Sequence, residues 1–173
     1  MKNQIDIKNI ILNYGLYLGF ITIFSHLILY ATGTLLKFSW ITGVLGFIAM
    51  IVLIVLGIKR YKIDNRGYLS FGEALKIGVG IAVFSATISV IYTLIFTNFI
   101  DPDLVNHAME LQKQKWLESG MSEEQIDASF ETAKKFQNPA ITSAFSIIVQ
   151  AFFGFIISAV VGAVMKKDIE NEY

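Results

Sequence analysis

The chain of 173 residues contains no cysteine and only two histidines, His26 and His107. The lack of cysteine excludes disulfides, thiolate metal sites and a cysteine nucleophile, and two histidines argue against a histidine-rich metal centre. The formal net charge is zero, so no overall field attracts nucleic acid. We therefore expect no metal, no cofactor and no nucleic-acid partner.

Charged residues are also scarce, because they make up only 16% of the chain whereas 54% is hydrophobic. A water-soluble domain usually carries about 25% charged residues, which form its solvated surface. Long stretches of this chain have no such residues to contribute. The composition is therefore typical of a protein whose surface faces lipid.

Four apolar runs have the length of a membrane span. About 20 apolar residues in a helix match the hydrocarbon core of a bilayer. The runs cover residues 10–31, 38–58, 74–99 and 140–165, and they lack the alternation of barrel strands. The sequence thus predicts an all-α membrane protein with four transmembrane helices, folded as one integral membrane domain over residues 1–173.

The polar segment 100–138 separates the third and fourth runs. Gly120 is placed to end one helix, and Ser122 with Gln125 has the pattern of a capping box that opens a second. These signals predict an amphipathic, extracytoplasmic helical hairpin. Its acidic face is either simply solvated or forms a docking surface for an external partner, in which the apolar residues would be Met109, Trp116 and Phe130.

Two other segments carry helix-start signals. Ser70 and Glu73 have capping-box spacing before the third run. The dipeptides Asp101-Pro102 and Asn138-Pro139 each predict an N-cap residue followed by proline in the first helical turn.

Basic residues set the predicted orientation, since cytoplasmic loops of membrane proteins are enriched in lysine and arginine. They lie near the N-terminus at Lys2 and Lys8, in Lys166-Lys167 after the fourth run, and between the second and third runs, where they are Lys59, Arg60, Lys62 and Arg66. We expect both termini in the cytoplasm. The cluster between the second and third runs is also expected to contact anionic lipid head groups.

Small residues mark the predicted helix contacts, because helices in lipid associate through close backbone approach. The candidates are Gly15, Gly19, Gly78, Ala82, Gly154 and Ser158. They predict close packing among the first, third and fourth spans. The second span has an unbroken aliphatic run at residues 51–56, so we expect its inner half to face lipid. The small-residue stripes could instead mediate homo-oligomer formation.

Three polar residues within the runs are candidates for an intramembrane site: His26, Tyr92 and Gln150. Ionisable groups in a membrane are costly and often functional. His26 and Tyr92 should lie at similar depth and could touch. They either link helices by hydrogen bonds or form a proton or ligand site.

No catalytic motif is present, so we expect a protein that is not an enzyme. The first functional hypothesis is a scaffold or interaction protein that has the lipid bilayer around it and a second copy or another membrane protein as partner. The alternative is a small transporter or channel subunit with a polar path near His26, Tyr92 and Gln150.

The chain resembles a bacterial family of multi-pass membrane proteins, the domain of unknown function 4199, which is frequent in Bacteroidota. The resemblance rests on the order of the four spans, on residues 67–74, GYLSFGEA, and on residues 120–126, GMSEEQI. It implies a small protein of the inner membrane and supplies no active-site residues.

Overall fold

A computed structural model describes residues 6–135 and 138–167; Lys2 lies outside these ranges. The described chain is helical almost throughout. The helices are α1 (Ile7–Ala31), α2 (Leu35–Asp64), α3 (Phe71–Ile95), α4 (Leu104–Glu118), α5 (Glu123–Lys135) and α6 (Pro139–Met165), and a π-helical turn (Phe96–Ile100) extends α3.

Four of the helices are long and apolar enough to cross a membrane: α1, α2, α3 with its π-helical turn, and α6. This confirms the predicted all-α class and the four spans. The second helix is longer than its apolar run, because Lys59 to Asp64 remain helical. Of the four basic residues predicted to lie in a cytoplasmic loop between the second and third runs, Lys59, Arg60 and Lys62 therefore lie in the helix, and only Arg66 lies beyond it. Lysine, arginine and isoleucine are compatible with a helix, so α2 continues to Asp64 and has Asn65 as its C-cap.

The chain divides into two compact units, Met1–Ser89 with Ile147–Tyr173, and Val90–Ser146. We call the first the bundle unit and the second the hairpin unit. The bundle unit contains α1, α2, most of α3 and most of α6. The hairpin unit contains α4 and α5. The predicted single domain over residues 1–173 stays a prediction.

The core of the bundle unit contains a seam of small residues between α3 and α6. Gly162 lies against Ala74, Ser158 against Gly78, and Gly154 against Ala82. Each pair is one helical turn from the next, so the two antiparallel helices stay in register over three turns. A Cβ atom added at Gly154 would lie only 2.5 Å from Cβ of Ala82. Larger side chains at these positions of α3 and α6 would therefore not fit.

The first helix packs on α3 through its own glycines. A Cβ atom at Gly15 would lie 2.8 Å from Cδ1 of Phe84, and one at Gly19 would lie 3.1 Å from Cγ2 of Ile88. Large side chains of α3 thus fill the grooves that the α1 glycines leave open. This arrangement gives the dense van der Waals contact that must hold helices together in lipid.

The second half of α2 has one buried and one exposed face, so the expectation that it faces lipid was wrong for the buried face. Ile54 and Ile58 are completely buried, and a Cβ atom at Gly78 would lie 3.0 Å from Cγ2 of Ile54. Small residues identify the grooves of a helix bundle but not the side chains that fill them. Here bulky isoleucines of α2 fill a groove of α3. One face of the same segment, which includes Val52 and Leu56, remains exposed.

The outer surface of the bundle unit is apolar. Phe20, Phe24, Trp40, Phe152 and Val164 are each more than half exposed. A surface of large aromatic and aliphatic side chains is unfavourable in water and suits a hydrocarbon solvent. The exposure pattern agrees with a membrane protein.

In the hairpin unit, α4 and α5 face each other across the turn at Gly120. The rings of Trp116 and Phe130 meet edge to face with centroids 5.5 Å apart, and Ile126 is completely buried. Gly120 has a φ of +84°, a left-handed conformation that glycine adopts without strain. The hairpin is present as predicted; its extracytoplasmic side stays a prediction.

The helix-start signals have different outcomes. Glu73 N donates to Ser70 Oγ, Gln125 N donates to Ser122 Oγ, and Ala140 N donates to Asn138 Oδ1, which confirms these three caps. The prediction for Asp101 was wrong. Its N–H bonds to the carbonyl of Phe96 and closes the π-helical turn, so α4 begins only at Leu104.

Candidate functional site

A polar cluster lies at the end of the bundle unit that carries the connection between α2 and α3, residues 65–70. We call this region the α2–α3 end. It brings together the last turn of α2, the first turn of α3 and the residues that follow α6. Contacts across these segments join residues about 100 positions apart in sequence.

Tyr61, which is buried, and Glu73, which is partly exposed, form the centre of the cluster. The Tyr61 hydroxyl donates a hydrogen bond of 2.6 Å to Oε1 of Glu73, and Ser70 N donates one of 2.8 Å to Oε2. One carboxylate thus caps α3 and also ties it to α2. The capping box accounts for one carboxylate oxygen, whereas the bond from Tyr61 could not be found from sequence spacing.

Lys62 ties α2 to the end of α6. Its Nζ donates a hydrogen bond of 2.7 Å to the main-chain carbonyl of Met165, the last residue of α6. The last carbonyls of a helix have no partner within the helix and carry partial negative charge. The lysine ammonium satisfies one of them and interacts favourably with the helix dipole.

A short antiparallel bridge ties the connection to the segment after α6. Leu69 N donates to the Lys167 carbonyl at 3.0 Å, and Lys167 N donates to the Leu69 carbonyl at 2.9 Å. The Lys167 ammonium lies over the ring of Tyr68, 5.7 Å from its centroid. The side chain of Leu69 is completely buried. These contacts fix the segment after α6 against the connection.

Two residues in left-handed conformation shape the turn after α2. Arg66 has a φ of +56° and Gly67 a φ of +87°. Asn65 supports the turn, because its Nδ2 donates to the Tyr68 carbonyl at 3.1 Å. The turn reverses the chain so that Ser70 can cap α3.

The four basic residues predicted between the second and third spans all belong to this end, but they have different partners. Lys59 is exposed, and Arg60 forms an ion pair of 2.8 Å with Asp64 one turn later on the same helix. Lys62 bonds the end of α6, and Arg66 is exposed in the turn. This end therefore combines exposed basic residues with one lysine that joins two helices.

The three candidates for an intramembrane site lie in two units. His26 and Gln150 belong to the bundle unit and are partly buried. Tyr92 belongs to the hairpin unit, where its ring packs 5.6 Å from that of Phe96. The suggested contact between His26 and Tyr92 stays a prediction. Gln150 lies one turn before Gly154, in line with the small-residue seam on α6.

The hairpin unit contains a shallow groove of about 460 Å³ between α4 and α5. Met109 and Phe130 supply its apolar surface. The charged residues around it are Glu110, Lys113, Asp127 and Glu131. Apolar and charged side chains thus line the same groove, as they do in many protein interfaces.

Metal ligands do not cluster in the part of the chain that the structure describes. Within residues 6–135 and 138–167 there is no group of three His, Asp or Glu side chains that could hold a metal ion. The arrangement at the α2–α3 end is suited to holding helices together and presenting positive charge.

Four long apolar helices, a seam of small residues and an exposed apolar surface define a helical multi-pass membrane protein. Over residues 13–167 the sequence matches the family described as "Protein of unknown function (DUF4199)". The chain belongs to this family, which confirms the resemblance drawn from residues 67–74 and 120–126. No curated protein and no solved structure matches the chain.

Proposed function

We propose that the protein is a non-enzymatic membrane scaffold that engages a protein partner through its hairpin unit. The partner is a second copy of the chain or another membrane protein. The scaffold lies in the cytoplasmic (inner) membrane, with both termini in the cytoplasm and the hairpin outside. The basic residues at the α2–α3 end support this orientation, because lysine and arginine accumulate in cytoplasmic segments.

The groove between α4 and α5 is the observation that carries the proposal. Met109 and Phe130 offer apolar surface that a partner side chain could bury, and Glu110 and Asp127 are exposed beside them. Aromatic and methionine side chains are enriched at the centres of protein interfaces, and rim charges select the partner. The groove has more acidic than basic residues and therefore favours a partner segment with basic residues.

The packing of the bundle unit also supports a scaffold over the transporter alternative. Ile54, Ile77 and Ile81 are completely buried at its centre. The hydroxyl groups of Thr22 and Ser158 donate to carbonyls of their own helices. A polar path near His26, Tyr92 and Gln150 would need side chains that face water, so these contacts favour a bundle whose interior is filled.

Cross-linking in native membranes tests the proposal. We expect a discrete cross-linked species, either a dimer or a complex with one partner. Asp127→Lys should reduce its yield at least severalfold, because the exposed carboxylate lines the groove. Glu118→Lys is the matched control, since it reverses an exposed charge at the end of α4 outside the groove. Monomer alone at every cross-linker concentration, or equal effects of the two variants, would contradict the proposal.

A further inference from the structure

The α2–α3 end brings basic residues from two remote parts of the sequence to the same end of the bundle unit. We call Lys62, Arg66, Lys166 and Lys167 the basic face. Three of them, Arg66 and the two lysines after α6, are exposed. The bridge between Leu69 and Lys167 places the segment after α6 beside the connection that carries Arg66.

The basic face is held in place by specific contacts. The Lys62 ammonium donates to the Met165 carbonyl at 2.7 Å, and the Lys167 ammonium lies over the Tyr68 ring. Two main-chain hydrogen bonds join Leu69 and Lys167. Because the scaffold around the charges is fixed, little conformational freedom is lost when an anion binds between them.

Two acidic residues near the basic face, within the ranges that the structure describes, already have partners. Asp64 pairs with Arg60 at 2.8 Å. Glu73 accepts hydrogen bonds from Tyr61 and from the main chain of Ser70. Both carboxylates are thus engaged by groups other than the lysines of the basic face.

The basic face lies directly beside the ends of apolar helices, where lipid phosphate groups are expected in a bilayer. Lys166 and Lys167 come directly after the apolar helix α6, and Lys62 lies in the last turn of α2. Apolar side chains border these charges, since Val164 is 79% exposed and Ile63 is 62% exposed. A ligand that contacts both must combine an anionic group with hydrocarbon chains.

We propose that the basic face is a binding site for the phosphate group of an anionic phospholipid, with Val164 and Ile63 in contact with its acyl chains. The site is composite, because neither the connection nor the segment after α6 supplies enough charge alone. A lysine or arginine at a membrane surface strengthens the interaction with anionic lipid about fivefold. This proposal rests on the membrane placement of the chain and is independent of the scaffold function.

The test is native mass spectrometry of the full chain in neutral detergent, titrated with phosphatidylglycerol or phosphatidylcholine. We expect the first phosphatidylglycerol to bind with a Kd at least fivefold lower than that of phosphatidylcholine. Lys166→Gln and Lys167→Gln should each raise the phosphatidylglycerol Kd about fivefold. Lys115→Gln should leave it unchanged, since this exposed lysine lies on α4 in the hairpin unit.

A second variant tests the geometry rather than the charge. Tyr68→Leu keeps every charge but removes the ring beneath the Lys167 ammonium. Loss of an exposed cation–π contact changes an equilibrium constant about two- to fivefold. The Kd for phosphatidylglycerol should therefore rise by that factor. Circular dichroism of each variant checks that its helix content equals that of the parent chain. Lys166→Gln changes only an exposed side chain, so the fold of this variant should be unaffected.

Three results would overturn the proposal. One is equal affinity for phosphatidylglycerol and phosphatidylcholine. Another is a loss of affinity in Lys115→Gln as large as that in Lys167→Gln, which would mean that net charge alone matters. The third is displacement of the lipid by millimolar inorganic phosphate, which would make the basic face a site for the free anion. None of these results bears on cross-linking through the hairpin groove.

Discussion

The hydroxyl of Tyr61 donates a hydrogen bond of 2.6 Å to the carboxylate of Glu73 and so joins the last turns of α2 to the first turn of α3. The same carboxylate accepts a hydrogen bond from Ser70 N. One side chain therefore fixes both the start of α3 and its position against α2. The contact is independent of the small-residue seam, which holds α3 against α6.

The first prediction concerns this hydrogen bond. Tyr61→Phe removes only the hydroxyl and leaves Oε1 of Glu73 without that donor. We expect the free energy of unfolding to fall by about 1.5 kcal/mol, because hydrogen bonds to charged groups contribute in that range and Glu73 is partly exposed. Unfolding of the detergent-solubilised protein by sodium dodecyl sulfate provides the measurement. Tyr17→Phe is the control, since Tyr17 is 54% exposed; equal losses in both variants would contradict the account.

The second prediction tests the seam between α3 and α6. Gly154→Ala should destabilise the protein by about 1–3 kcal/mol, because the new methyl group would overlap Cβ of Ala82 and force the helices apart. The double variant Gly154→Ala with Ala82→Gly should recover most of the loss, since it moves the methyl group to the opposite helix.

A control glycine is available on α2. A Cβ atom at Gly43 meets nothing within 4 Å in the described part of the chain. Gly43→Ala should therefore be neutral or stabilise the helix by up to about 1 kcal/mol. If Gly154→Ala behaved in the same way as Gly43→Ala, close packing at the seam would be refuted.

The third prediction concerns two buried serines. Ser158 Oγ donates to the Gly154 carbonyl at 2.6 Å, whereas Ser85 Oγ has no hydrogen-bond partner among the described residues. A buried hydroxyl without a partner destabilises a fold. Ser85→Ala should therefore raise the free energy of unfolding by about 1 kcal/mol, and Ser158→Ala should lower it by a similar amount. If Ser85→Ala lowered the free energy of unfolding more than Ser158→Ala did, the prediction would be contradicted and the Ser85 hydroxyl would stabilise the fold.

The sequence predicted the elements of this fold better than their contacts. Span length and composition located four helices, because the thickness of a bilayer fixes both. Capping patterns at Ser70, Ser122 and Asn138 were correct, since these interactions are local. The pattern at Asp101 failed because a π-helical turn used its main chain instead.

Contacts between remote segments were harder to predict. Glycine spacing indicated which helix faces carry small side chains. It did not reveal that Ile54 of α2 fills a groove of α3 or that Ile58 is buried. The bond from Lys62 to Met165 and the bridge from Leu69 to Lys167 use main-chain atoms. Every residue has a main-chain carbonyl, so the type of residue does not show whether its carbonyl accepts such a bond. No sequence pattern could therefore have indicated these contacts.

The central proposal is the membrane orientation: the α2–α3 end faces the cytoplasm and the segment between the third and fourth spans faces the outside. The absence of cysteine makes a direct test simple, because a single introduced cysteine is the only thiol. Gly72→Cys reports the α2–α3 end and Gln114→Cys reports the hairpin; both positions are exposed and uncharged, and a Cβ atom at Gly72 meets nothing within 4 Å among the described residues. We expect a membrane-impermeant maleimide to label Gln114→Cys in cells whose outer membrane is permeabilised but whose inner membrane is intact, and to label Gly72→Cys only after lysis. Labelling of both positions before lysis, or of Gly72→Cys alone, would contradict the claim.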